Sequence, residues 1–204
     1  MISFMVGSRT LDDAKIFLKD LTSRLAEKPL FTSDELPHYK TVLSDIYSDL
    51  IIPERTGMPG RPQGPIKVVH KDLDYATVHK TREDGRVVQV TRQIIFGSAE
   101  SIQDRLANSP SIVINTAYVE RSNLNWRLWD AHLCRKSVTF AKALPWLKAK
   151  LAIGISVYNL VRPHETLSRR EDRVFRPKSP AMAAGITEKI WSVLDLLWFR
   201  PLCQ

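Results

Sequence analysis

Asp84-Gly85 stands between two runs rich in β-branched residues, Tyr75-Ala76-Thr77-Val78-His79 and Val87-Val88-Gln89-Val90-Thr91. Asp-Gly accepts positive φ at both central positions of a tight turn, so the chain must reverse here into an antiparallel hairpin. Upstream the spacing becomes helical. Thr10 is placed to cap a helix over residues 11–27, with Asp12 and Asp13 in its first turn and Ala14, Phe17, Leu18, Leu21 and Leu25 on one face. Pro29 ends that helix, Leu30-Phe31-Thr32 reads as a short buried strand, and Pro37 opens a second helix to about Tyr47. Met1 to Val6, apolar and followed by Gly7, reads as the tail of a strand. Strand, helix, strand, helix is an α/β order.

Pro53, Gly57, Pro59, Gly60, Pro62 and Gly64 break any regular element between residues 52 and 64. The hairpin is therefore expected as an insertion, about residues 52–110, ahead of a core strand at Ser111-Ile112-Val113-Ile114-Asn115. Helices are expected from Ala117 to Lys136 and from Leu144 to Leu160, the latter stopped by Pro163. An apolar helix around Ile190 to Phe199 should pack on the core, within a helical tail at 181–204 that follows a domain spanning 1–180. No apolar run approaches the roughly 18 residues of a membrane span, and the first six residues lack the charged start of a signal peptide, so a cytoplasmic protein without a membrane partner is expected. Two cysteines cannot build a disulfide framework, and neighbouring His132 and Cys134 lack the further ligands zinc requires.

Charge is distributed unevenly. Residues 116–179 hold 13 Lys and Arg against 5 Asp and Glu, whereas the remainder holds 17 of each, so the whole net charge of +8 lies in that segment. Such a stretch is either a solvated helix face or a surface for a polyanion, since Lys and Arg release counterions from phosphate.

Two carboxylates end up where this layout gathers chemistry: Asp34 at the carboxyl end of a buried strand and Glu120 at the start of a helix. Taken singly, an Asp beside a turn is a cap and a Glu on a helix is solvated. Their surroundings say more. Phe31-Thr32-Ser33-Asp34-Glu35-Leu36-Pro37-His38-Tyr39 resembles the segment carrying the second Asp of bacterial and archaeal insertion-sequence transposases of the DDE type. Ile114-Asn115-Thr116-Ala117-Tyr118-Val119-Glu120-Arg121-Ser122-Asn123 resembles that family's signature around its final Glu. Tyr158-Asn159-Leu160-Val161-Arg162-Pro163-His164-Glu165-Thr166-Leu167 is similar to the YNxxRPHxxL element that closes many such domains, and Pro180 to Gly185 to the tail beyond it.

The resemblance implies an RNase H-like mixed sheet flanked by helices, with Asp34 and Glu120 as catalytic, metal-binding carboxylates. It further implies two Mg2+ (or Mn2+) ions in an intact relative, and contacts to transposon-end and target DNA from Asn123, Arg127, Arg162 and His164. Read without it, Arg127 serves a surface ion pair, and His164 after Pro163 a polar helix stop. The family's first Asp, on its first strand, has no counterpart, because Asp12 and Asp13 open a helix. The expectation is thus an N-terminally truncated, inactive copy in the cytoplasm, associated with the nucleoid, that partners with DNA and with a full-length transposase or an upstream frame product. The alternative is a non-catalytic DNA-binding or oligomerisation fragment that regulates such a transposase.

Overall fold

The computed structural model describes residues 1–53, 64–109, 111–134, 138–171 and 174–200. The chain forms two compact units, one of Ile2–Trp126 and one of Met1 with Arg127–Gln204.

In the first unit, α1 (Leu11–Ser23) begins at a capping box: the Thr10 hydroxyl accepts the Asp13 amide and the Asp13 carboxylate accepts the Thr10 amide. The helix stops short of the expected Glu27, because Ser23 Oγ donates to the Asp20 carbonyl and the Arg24 amide closes onto Leu21. After β1 (Phe31–Ser33) comes α2 (Pro37–Ile46), started by its proline. Ala14 and Leu18 of α1, Val42 and Leu43 of α2, Phe31 and Tyr75 form one buried cluster. Residues 1–6 form no strand; Ser3 instead donates to Asp20 on α1.

Strands β2 (Ser48–Ile51) and β3 (Ile66–Val69) pair antiparallel, an element the sequence pattern does not announce, and 54–63, most of the breaker-rich stretch, lies outside the described residues. The hairpin forms as β4 (Tyr75–Glu83) and β5 (Arg86–Phe96), turning through Asp84 and Gly85 at φ 48° and 77°. It is not an insertion beside the sheet. β4 pairs parallel with β1, Phe31 opposite Tyr75 and Ser33 opposite Thr77, so the hairpin supplies two strands of the sheet β1-β4-β5. The result is a mixed α/β arrangement, with α1 and α2 on the face that bears Phe31 and Tyr75.

The expected strand at 111–115 does not form. Asn115 Nδ2 donates to Ser111 Oγ and to the Val113 carbonyl, Ser111 Oγ donates to the same carbonyl at 2.8 Å, and Asn115 Oδ1 accepts the Ala117 amide. These local bonds compete with ladder pairing. The segment is fastened to the sheet by side chains instead, Thr32 Oγ1 to the Asn115 carbonyl and Arg92 Nε to that of Ile114.

Helix α3 (Ala99–Ala107), capped by Ser98, is anchored by Asp74, which is fully buried just before β4. Its Oδ2 accepts Ser101 Oγ at 2.7 Å and Arg105 Nε at 2.5 Å, and its carbonyl accepts the Phe31 amide. Oδ1 accepts no hydrogen bond among the described residues. It lies against Gly97, at φ 93°, where any Cβ would collide with it. Helix α4 (Ala117–Trp129) begins in this unit.

In the second unit, Asp130 accepts the His132 amide and Lys150 Nζ, and the expected continuation of α4 to Lys136 gives way there to a 3-10 turn at Ala131–Leu133. Helix α5 (Leu144–Ser156) widens into a π turn over Val157–Val161 before Pro163. A small hairpin, β6 (Arg169–Glu171) with β7 (Val174–Arg176), precedes α6 (Pro180–Ala183) and α7 (Val193–Trp198). The last of these is correct in kind but not in packing: Leu194, Leu197 and Trp198 are exposed, as a single six-residue helix cannot cover all its apolar sides. No described helix is long and apolar enough to cross a membrane.

Breaking a buried ion pair by removing one partner strands the other's charge. Arg105→Ala is expected to cost about 3 kcal/mol in urea unfolding, and Gly97→Ala about 2 kcal/mol from strain and collision. Unchanged midpoints in both would show that the Asp74 junction does not hold the first unit together.

Candidate functional site

Asp34 leaves the carboxyl end of β1 with its side chain exposed. It lines a cavity of about 350 Å³ together with Arg9, Asp13, Tyr39 and Asn123. Burial raises the Tyr39 hydroxyl above the usual phenol range, and the Asp34 charge adds to the rise while Arg9 opposes it. Next to Asp34, Ser33 Oγ lies 2.8 Å from the Tyr75 hydroxyl, which burial also raises. Glu35 turns away to His79 at 2.7 Å.

Glu120 lies in the first turn of α4, where a carboxylate is favoured by the helix dipole. One of its oxygens, Oε1, accepts both Lys80 Nζ at 2.5 Å and Thr116 Oγ1 at 2.9 Å. These bonds, Lys80 first, hold the carboxyl below the usual glutamate range, and the charge of Arg82 contributes in the same sense. Asn123 follows one turn later and lines the Asp34 cavity. The first turns of α4 thus lie by the end of β1, so that Asp34 and Asn123, far apart in sequence, share one cavity.

In the second unit, the Arg162 guanidinium stacks 4.4 Å from the Trp129 ring. Tyr158 packs between Trp129 and His164, both ring centroids 6.1 Å away. His164 Nδ1 lies 2.9 Å from Thr166 Oγ1, and its backbone bonds Lys178, Leu167 and Ser168. Arg162 and His164 therefore belong to one cation–aromatic stack. Arg127 is half-buried, and its carbonyl accepts Cys134 Sγ.

Comparison with protein-family models, with curated proteins and with solved structures yields no match.

A pair of divalent ions needs carboxylates from several elements aimed at one point. No group of three His, Cys, Asp or Glu side chains with that disposition exists among the described residues. Lys80 already neutralises Glu120. The donor set as it stands does not fit two ions, and a further carboxylate would have to join it. Lys80, Arg82 and Arg9 were not singled out from sequence. For Lys80 and Arg82 the available signal was strand alternation, which sends both to one face.

Because the lowered Glu120 pKa comes first from Lys80, Lys80→Ala should raise that carboxyl in a carbon-13 titration. The pair's small contribution to stability is complete above the ordinary glutamate range and lost as pH falls through the lowered folded value. An unchanged Glu120 titration in Lys80→Ala would remove the ion pair from the site.

Proposed function

We propose that this chain is part of the catalytic domain of a DDE-type insertion-sequence transposase, in which Asp34 and Glu120 are two of the acidic residues for DNA strand cleavage and strand transfer. The observation that carries the reading is the shared cavity: Asn123, one turn beyond Glu120, lines it together with Asp34. The two motifs with transposase resemblance therefore meet at the carboxyl end of a strand, the location expected for an active site in an α/β sheet. The parallel β1–β4 pair flanked by helices is compatible with an RNase H-like sheet. The Arg162–Trp129–Tyr158–His164 stack supplies cationic and aromatic groups of the kind that contact nucleic acid. In this reading Mg2+ or Mn2+ would serve the chemistry once a further carboxylate completes the donor set, with Asp34 and Glu120 as the ligands from this chain.

A second reading, a non-catalytic DNA-binding or oligomerisation fragment that regulates a full-length transposase, is favoured by Lys80 on Glu120. The two are separated by strand transfer of a labelled transposon end with magnesium or manganese. The chain alone is expected to be silent. Adding a polypeptide that supplies the family's first strand and Asp should give joined product, lost again in Asp34→Ala or Glu120→Ala. Product from the unassisted chain, or from the complemented Glu120→Ala variant, overturns the assignment; silence after complementation leaves the regulatory reading in its place.

The catalytic reading, and the DNA-binding form of the second, require duplex DNA binding dominated by phosphate contacts, given the +8 balance in residues 116–179. Raising salt from about 50 to 200 mM should weaken binding by on the order of a hundredfold or more. A salt-independent affinity would refute both of these and leave only the oligomerisation form.

A further inference from the structure

The hairpin carries cations that none of the transposase-like motifs contains. Side chains alternate along a strand, so Lys80 and Arg82 of β4 point to one face. Arg92 of β5 lies opposite Val78, and Val90 opposite Lys80, which puts Arg92 on that face too. This is the face crossed by residues 113–120, and the carboxylate that meets the cations there is Glu120. The acidic residues of the hairpin are set apart at its tip: Asp84 is in the turn and Glu83 pairs with Arg86 in the ladder.

We propose that this face of the β4–β5 hairpin, with Lys80, Arg82 and Arg92, is a contact surface for the phosphate backbone of nucleic acid, additional to the basic segment 116–179. The proposal rests on the DNA-binding reading given above.

The rival explanation is that the charges blunt a sheet edge against aggregation. Edge protection applies along β5 and also along β4 beyond Thr77, where β1 ends, but it does not require the cations to share one face, as Lys80, Arg82 and Arg92 do, nor Arg92 to be fixed there by the Ile114 carbonyl. Val90, 39% exposed, lies opposite Lys80 beside the cations. Apolar groups between phosphate-binding cations suit the sugars of a backbone. Arg92 spends one of its five donors on the Ile114 carbonyl, which fixes the side chain on this face. Lys80 is held by Glu120, but that pair is open to solvent, with side-chain exposures of 25% and 54%, so the ammonium can exchange from carboxylate to phosphate. Glu120 would thus weaken the very surface that brings DNA to it.

The test is fluorescence anisotropy of a labelled duplex of about 25 base pairs from about 50 to 200 mM salt, with binding expressed as the slope of log affinity against log salt. Each phosphate contact contributes about 0.9 to that slope. Arg82→Gln should lower it by about 0.9, with affinity near 0.1 M salt falling on the order of tenfold, and Arg82→Gln/Arg92→Gln by about twice as much on the logarithmic scale. Arg86→Gln, at the tip, should leave the slope unchanged. Glu120→Gln should act in the opposite direction, tightening binding by freeing Lys80. Arg82 is exposed, so Arg82→Gln alone decides the outcome if Arg92→Gln fails to fold. A wild-type slope in Arg82→Gln, or equal losses in Arg82→Gln and Arg86→Gln, overturns the hairpin surface while leaving DNA binding by the rest of the chain intact. No salt-dependent binding by the unaltered chain overturns the DNA reading, and the hairpin surface with it.

Discussion

A carboxylate with no exposure to water must be met by donors, and Asp74 imposes that requirement on the first unit. Ser101 and Arg105 answer it from α3, while Arg105 Nη1 also reaches the Lys28 carbonyl ahead of β1. The Asp74 carbonyl meanwhile accepts the Phe31 amide. One residue thus ties the start of β4 to β1, to α3 and to the chain that leads from α1. The parallel register of Phe31 with Tyr75 follows from it, and with that register the place where Asp34 leaves the sheet. Gly97 belongs to the same junction, since a side chain there would occupy the space of the Asp74 carboxylate.

With β1 so fixed, electrostatics decides what the site can do. Asp34 opens into a cavity beside Arg9 and near a phenol made reluctant to ionise, while Glu120 is neutralised by a lysine from the middle of the sheet. Each carboxylate thus has a cation of the chain's own in its surroundings, Arg9 for Asp34 and Lys80 for Glu120.

Local features were legible in the sequence. The Asp84-Gly85 turn, the Thr10 cap and the proline that opens α2 depend on neighbours within a few residues, and each appears where expected. The hairpin's role was not legible, because parallel pairing of β1 with β4 joins segments more than 40 residues apart and leaves no periodic trace. Ser111 to Asn115 has the composition of a buried strand, yet its fate turned on Asn115, whose side chain competes for the backbone. Asp34 and Glu120 were singled out by the motifs around them, whereas the ion pair on Glu120 left no trace in those motifs. Lys80 was missed because alternation names a face without naming what covers it.

The strap at residues 111–116 has a mechanical consequence. Asp34 is borne by a strand locked into a cooperative ladder, whereas the helix bearing Glu120 is moored by individual side-chain bonds from Thr32, Arg92 and Lys80. Moorings of that kind open singly and at lower free energy than a ladder. The start of the helix that bears Glu120 can therefore shift on the sheet bond by bond, while the ladder that leads to Asp34 stays fixed.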